Sequence, residues 1–431
     1  MNKADEILTS GTDHRNLMVK QEDQPNHDLE NQLVIDCSQT VIPDFKADNI
    51  IETLGHPLDW NFVIETARKN CVLPLVSWNL IRLFNGFLPP EVKIGLNEYF
   101  QRHTQHNMFL TSKLIEVIRL FRSNNIPVLP FKGPLLAMQF YDNIALRMFS
   151  DLDVLVQMKH MEVAIKLLEQ NGYEPLGSIN WLKRNNFGVA HKDISFIHKE
   201  SKILLELHWK LSYSFSSLPL EVNRLWNDTE TANIGGMNVN NLSFNDLLIY
   251  LCLHGGRHLW ERLSWICDIN EMISSRENIE WEQINTEAKR LGCEKPLGLG
   301  LHLVNEFFGR NSPVLVWQGK KNNELFKELT LQIRDRLFNE DGNFVVIKNR
   351  AWFLEEQLFQ LKLKDRLWDK LKVHLYYNDY YLKQIFSPNK ADEELLHLPA
   401  WLAPFYFIAR PVRLFFTYIV KFKKSKYLKE Q

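Results

Sequence analysis

Two aspartates one residue apart inside an apolar run, Ser150-Asp151-Leu152-Asp153-Val154-Leu155-Val156, constrain this chain more than any other stretch. Such a run reads as a buried strand. Alternate side chains on a strand share a face, so Asp151 and Asp153 point one way while Leu152 and Val154 point to the core. Two carboxylates held that close repel one another unless a cation lies between them, and the economical reading is a divalent-metal site. About twenty residues upstream, Phe131-Lys132-Gly133-Pro134 reads as a turn that opens a helix. Gly133 would let backbone approach a phosphate, the helix N-terminus favours negative charge, and Lys132 adds a cation. It is not a Walker loop, because Gly-x-x-x-x-Gly-Lys-Ser/Thr is absent. A metal site beside a phosphate cradle is the minimum equipment for nucleotidyl transfer.

Metal-assisted phosphoryl chemistry wants a further acidic ligand from a neighbouring strand, since Mg²⁺ prefers oxygen. Ile203-Leu204-Leu205-Glu206-Leu207-His208-Trp209 supplies one. Glu206 is the only acid in an apolar strand and His208 shares its face. Glu206 either completes the metal site or takes the proton from an attacking hydroxyl. Taken singly, Asp-x-Asp is often a turn cap and a lone strand Glu is usually solvent-facing; together with the Lys-Gly turn they favour the metal site. Arg147 stands between helix and aspartate strand, with two roles open: clamping a triphosphate or pairing with Asp142.

The stretch His254-Gly255-Gly256-Arg257-His258-Leu259-Trp260-Glu261-Arg262 is the next candidate. His254 and His258 are one helical turn apart, but a zinc protease would need Glu where Gly255 stands. With Arg262 and Asp268 these histidines either line a nucleotide or acceptor pocket or simply hydrogen-bond in the core.

Composition narrows the class. In 431 residues, 45% are hydrophobic and 24% charged, as in ordinary globular proteins, and there is material for two or three domains. The net charge of −1 argues against a general nucleic-acid binder. Five scattered cysteines without a CxxC pair suit free thiols in a reducing compartment. The polar start carries no signal peptide pattern, and the most apolar stretch, Leu398 to Val420, is broken by Pro399, Pro404, Arg410, Pro411 and Arg413. A cytoplasmic protein is the expectation.

Along the chain, residues 1–30 read as a disordered polar tail. Residues 45–123 carry helical periodicity, with Trp60, Val63, Ile64 and Ala67 on one stripe and Leu114, Val117, Ile118 and Phe121 on another. Residues 125–240 alternate helix and strand: strands at Ile126–Leu129, 151–156, Ile194–His198 and Ile203–Trp209, helices at Gly133–Tyr141 and Met161–Gln170. Residues 243–420 return to helix, with Ser243 as the N-cap of the first, Leu299–Phe308 and Asn349–Tyr381 among the rest, and 421–431 as a basic tail. The fold class expected is α+β, a mixed sheet flanked by N- and C-terminal helical regions.

At these residues the chain resembles the uncharacterised bacterial nucleotidyltransferase family, a branch of the DNA polymerase β-like superfamily. The resemblance rests on Asp59-Trp60, Ala67 and Val72-Leu73-Pro74-Leu75; on Lys132-Gly133, Tyr141, Arg147 and Asp151-Leu152-Asp153-Val154-Leu155-Val156; on Glu206-Leu207-His208-Trp209; on His258, Trp260, Arg262-Leu263 and Asp268; and on Leu398-Pro399 with Arg410-Pro411. It implies a polymerase β-like nucleotidyltransferase domain with Asp151, Asp153 and Glu206 as the metal triad. Lys132, Gly133 and Arg147 would bind phosphate, and His208, His258, Arg262 and Asp268 would line the pocket. The superfamily's usual Gly-Ser or Gly-Gly turn is Gly133-Pro134 here, so the serine hydroxyl that touches phosphate is missing and Lys132 takes its place. The expected activity is Mg²⁺- or Mn²⁺-dependent transfer of a nucleoside monophosphate from an NTP to an acceptor (a small molecule, peptide or protein), with no long nucleic acid as partner. The alternative is a scaffold that keeps the fold without catalysis. The C-terminal Leu414, Phe415, Phe416, Tyr418, Ile419 and Phe422, interleaved with lysines, would suit contact with an anionic membrane surface, although packing on the domain is favoured.

Overall fold

The computed structural model describes residues 27–176, 192–211, 222–310, 320–338, 350–386 and 410–413. Most of the expected polar tail, the Leu398-Pro399 segment, the aromatic–basic C-terminal stretch and the 421–431 tail lie outside the described residues. No helix among those described is long and apolar enough to cross a membrane.

Chain order gives α1 (Asp28–Asp36), α2 (Asp44–Leu54), α3 (Trp60–Lys69), α4 (Leu73–Leu83), α5 (Pro90–Ser123), β1 (Val128–Pro130), α6 (Pro134–Phe140), β2 (Asp151–Val156), α7 (Met161–Gln170), β3 (Tyr173–Pro175), β4 (Asp193–His198) and β5 (Leu204–His208). Then follow α8 (Val222–Leu225), β6 (Thr229–Ile234), β7 (Met237–Leu242), α9 (Phe244–Arg257), α10 (Leu263–Ser274), α11 (Trp281–Leu291), α12 (Glu294–Phe308), α13 (Lys320–Phe338), α14 (Arg350–Lys362) and α15 (Leu367–Phe386). The fold is α+β around a mixed sheet, as expected. The aspartate strand, the Met161–Gln170 helix and the Ser243 cap stand where the pattern put them, Ser243 accepting from the Asp246 N–H.

The main sheet runs β1-β2-β5-β4-β3. Only β2 and β5 are parallel. Their register sets Asp153 opposite Glu206, and Glu206 in turn opposite Ser195 on β4. Side chains in register share a face, so one row of polar groups crosses three strands while Leu152, Val154, Leu205, Leu207 and Phe196 fill the core. That core also takes the second half of α5, through Leu110, Leu114, Val117, Ile118 and Phe121.

The two helical regions expected on either side of the sheet share one core. Leu33, Val63, Val76 and Leu80 pack in the same cluster as Leu247, Ile266, Leu299 and Phe359. Polar links cross the same junction: Thr40 donates to Glu271, Asn79 Nδ2 reaches Cys37 O at 2.9 Å, and Asn70 Nδ2 reaches Leu337 O at 2.9 Å. Helix α5, about 50 Å long at 1.5 Å per residue, joins the two cores, with Val92 and Leu96 in the helical body and its later stripe in the sheet body. The polar tail ends earlier than expected, because α1 begins at Asp28 and buries Leu33, Val34 and Ile35. The helical pattern expected over Asn349–Tyr381 is built as two helices, α14 and α15, with a break after Lys362.

Candidate active site

A cavity of about 540 Å³ opens over the polar row of the sheet. Its sheet wall carries Lys132, Gly133, Asp151, Asp153, Asp193, Ser195 and Glu206, and its helical wall His254, His258, Arg262, Trp265 and Asp268. Of the residues singled out from sequence, all but His208 line this space, and His208 lies directly behind Asp153 and Glu206.

Asp153 is buried at 2% exposure at the centre of the row. Its Oδ1 accepts from His208 Nε2 at 3.0 Å and pairs with Lys132 Nζ at 3.3 Å. Its Oδ2 is buried and has no hydrogen-bond partner. His208 Nε2 also stands 3.2 Å from Glu206 Oε2, and its Nδ1 3.6 Å from Asp193 Oδ2. The His208 ring is edge-on to Phe131 at 5.0 Å, which fixes its plane. Burial pushes Asp153 up, but Lys132 and His208 outweigh burial and hold the carboxyl below the usual carboxylate range. Lys132 is the mirror case. Burial disfavours its charge, yet Asp153, Tyr250 and Asp151 together hold the ammonium above its ordinary value. At Asp151 burial and the Asp153 charge outweigh Lys132 and Arg147 and push the carboxyl up.

One oxygen or nitrogen from each of Asp153, Glu206 and His208 comes within 4.8 Å of the others, the one such group of potential metal ligands among the described residues. Two carboxylates and an imidazole, with one carboxylate oxygen unpartnered, form a donor set that accepts Mn²⁺ or Mg²⁺. Of the expected triad, Asp153 and Glu206 fall in this group together with His208, and Asp151 lines the cavity beside it. Parallel pairing explains this, since Asp153 and Glu206 are register partners whereas Asp151 faces Leu204.

The lysine turn is shaped by its contact with the aspartate strand. Gly133 has φ +53°, and a Cβ there would stand 3.3 Å from the carbonyl oxygen of Asp151. Glycine is therefore required for close approach to the aspartate strand. Helix α6 is short, Pro134 contributes no N–H, and the Leu135 N–H is taken by Lys132 O at 3.1 Å. The helix end thus offers few free donors, and the cation of Lys132 is the feature that survives.

Arg147 does not pair with Asp142. Its Nε and Nη2 donate to Asp268 at 2.7 and 2.8 Å, and the Tyr141 hydroxyl donates to the same carboxylate at 2.7 Å. Asn107 Nδ2 reaches the carbonyls of Ile144 and Arg147 at 2.7 and 2.9 Å, holding the segment in place. A guanidinium fixed bidentately in this way is a wall of the cavity, not a mobile clamp.

His254 and His258 face each other at 4.7 Å between ring centres. Burial, then the charges of Lys132 and neighbours, pulls His254 well below the usual imidazole range; His258, on the cavity wall, is pulled the same way by desolvation from the surrounding protein and then by Arg257. Both are neutral at pH 7. No third ligand joins them among the described residues.

Asp193, Ser195, Tyr250 and Trp265 were not singled out from sequence. The alternation Asp193-Ile194-Ser195-Phe196 on a strand facing Glu206 and His208 carries the signal for the first two. Trp265 shows no local signal, because it reaches the cavity through tertiary packing.

Paired carboxylates and a lysine turn thus stand on one wall of the cavity, and helices close the other. The family model described as uncharacterised nucleotidyltransferase matches residues 56–309, more than half of the chain, and the chain belongs to that family. A crystal structure of an antigenic nucleotidyltransferase-like protein from Paracoccidioides brasiliensis is similar at 17% identity and a TM-score of 0.28, covering 48% of this chain and 97% of that one. A comparison with curated proteins matches none of them.

Proposed function

We propose that this protein transfers a nucleoside monophosphate from an NTP to an acceptor hydroxyl or phosphate, with release of pyrophosphate and in dependence on Mg²⁺ or Mn²⁺. The observation that carries the reading is Asp153: a buried carboxylate with one oxygen unpartnered, grouped with Glu206 and His208 on the floor of a cavity that also holds Lys132.

Asp153 and Glu206 would hold the metal, with Asp151 completing the set. When bound, the ion neutralises phosphate oxygens and polarises the attacking oxygen. The rest is the work of the chain's own groups. Glu206, at 24% side-chain exposure beside buried Asp153, is the group a bound acceptor can reach, and it takes the hydroxyl proton. His208 orients both carboxylates from behind, with Phe131 fixing its ring. Lys132, kept protonated by Asp153, supplies charge to the phosphates. Arg147 adds positive potential to the wall while pinned to Asp268. The near-neutral net charge disfavours long nucleic acid as acceptor.

The test is incubation with each α-³²P-labelled NTP and Mg²⁺, with cell extract as the acceptor source and Asp153→Ala as the control. Label moved by wild type alone supports transfer, and its size reports the acceptor class. No label with any NTP, together with no NTP-dependent rise in melting temperature, would replace this reading with that of a non-catalytic scaffold.

A further inference from the structure

The stretch from His254 to Trp265 builds something the transfer chemistry above does not use. Helix α9 ends on two consecutive residues in the left-handed region, Leu259 (φ 56°) and Trp260 (φ 55°). Both are bulky and fully buried, at 1% and 0% exposure. Left-handed backbone costs a side-chain-bearing residue of order 1–2 kcal/mol and persists only where the surroundings over-determine it. Here they do. The Trp260 N–H bonds Gly255 O at 2.9 Å. The Trp260 ring lies against Gly255 so closely that a Cβ would stand 2.4 Å from Cζ3. The His-Gly-Gly motif is therefore the seat of a strained turn, not a metal site.

That turn delivers the start of α10 to the cavity, and buried Asn70 fastens it there. The Asn70 side-chain oxygen accepts the Leu263 N–H at 3.2 Å and its backbone carbonyl the Ser264 N–H at 3.1 Å. The next residue, half-buried Trp265, lines the cavity. His254 meets its ring edge-on at 5.3 Å and His258 at 5.4 Å with a 44° tilt. Tyr250 stacks behind His254 at 5.9 Å. Exposed Arg262 holds its guanidinium 5.6 Å from the centre of the Trp265 ring. The result is a rigid aromatic surface facing a cavity whose opposite wall is carboxylate and ammonium.

We infer that Trp265, flanked by His254 and His258, is the platform on which the base of the bound nucleotide stacks. This rests on the nucleotidyltransferase reading of the sheet wall and assigns the helical wall to the other end of the same ligand. Stacking is tolerant of base identity, because every base offers a π-face. A base laid on the indole takes the place of, or lies beside, the Arg262 guanidinium, which occupies such a position now.

Calorimetric titration of wild type, Trp265→Leu and Trp265→Phe separates the two readings. The ligands are ATP, GTP, CTP, UTP and, as a probe without a base, inorganic tripolyphosphate, all with Mg²⁺. Trp265→Leu is expected to weaken the tightest-binding NTP about tenfold or more and to leave tripolyphosphate unchanged, while Trp265→Phe keeps most of the affinity. Equal weakening of NTP and tripolyphosphate, or no weakening of either, overturns the platform and leaves the transfer reading standing. If wild type binds none of the ligands, the transfer reading fails and the platform with it. Melting curves of the variants guard against misfolding, and if the leucine variant does not fold Trp265→Met takes its place, with the same outcomes.

Discussion

Two ionic clusters face the same cavity and are finished differently. At the Arg147–Asp268–Tyr141 cluster both oxygens of the carboxylate are taken: Oδ1 by Arg147 Nε and Tyr141, Oδ2 by Arg147 Nη2. At the Lys132–Asp153–His208–Glu206 cluster one carboxylate oxygen is buried and unpartnered, and the nearest carboxylates, Asp151 and Glu206, add charge of the same sign. A buried polar atom without a partner costs about 1–3 kcal/mol. Under the proposed function the satisfied carboxylate serves structure, and the incomplete one, grouped with Glu206 and His208, is open to a ligand. Both clusters join segments far apart in sequence, so separation does not distinguish them; satisfaction does.

The sharpest way to break this contrast is to remove each carboxylate and measure both activity and stability. Asp153→Ala should lower nucleotidyl transfer on the order of a thousandfold or more, since it removes the central ligand of a site worth several kcal/mol to the transition state. Unfolding in urea should show a smaller loss of stability than removal of Asp268. Asp268→Ala leaves the Arg147 guanidinium buried without its partner and should cost about 3–5 kcal/mol in the same assay. Replacing both partners, Arg147→Met with Asp268→Leu, should recover part of that loss. If Asp153→Ala proves the more destabilising change and leaves transfer intact, the roles assigned to the two clusters are reversed.

The contrast was half legible in the sequence. Asp153, Glu206 and His208 could be placed on one face because strands repeat every two residues and their flanks are β-branched or aliphatic. Arg147 could not be placed, because its partner is 121 residues away on another helix, and local reading offered only Asp142. The same limit hid the shared helical core, where Thr40 meets Glu271 across 231 residues. The β6–β7 hairpin was missed for another reason. Gly235 and Gly236 have φ of 56° and 82°, the two positive values of a primed hairpin turn, so the Gly-Gly signal was present. However, Met237-Asn238-Val239-Asn240-Asn241-Leu242 is too rich in asparagine to read as a strand. It forms because Val239 and Leu242 are buried and β7 lies beside β1. Gly133, read as a phosphate contact, lines the cavity, and a Cβ there would also meet the carbonyl of Asp151.

An incomplete cluster should respond to a cation and a complete one should not. Titrating Mn²⁺ or Mg²⁺ into the protein should raise the stability of wild type by about 2.7 kcal/mol at a hundred times the dissociation constant. The Asp268→Ala protein should gain the same increment from its lower starting point, while Asp153→Asn should gain little. Equal gains in all three would mean that the ion binds somewhere other than the Asp153 row.

The smallest effect concerns Asp151, the carboxylate that neither cluster satisfies. Burial and the Asp153 charge raise it above its unfolded value, so the native state binds its proton more tightly than the unfolded chain does. The stability this contributes is fully present below the unfolded carboxylate value and is lost as pH rises through the raised one. At neutral pH, metal-free wild type therefore carries an ionised Asp151 at a cost, and Asp151→Asn, which cannot ionise, escapes it. Urea unfolding without divalent metal should show the asparagine variant more stable than wild type at pH 7, with the gap closing as pH falls toward 4. Saturating Mn²⁺ should shrink the gap at pH 7 if the ion lies close enough to offset the Asp151 charge. A gap that widens in acid would mean that Asp151 is stabilised as the anion, and the cavity floor would then hold a cationic partner for it beyond Lys132.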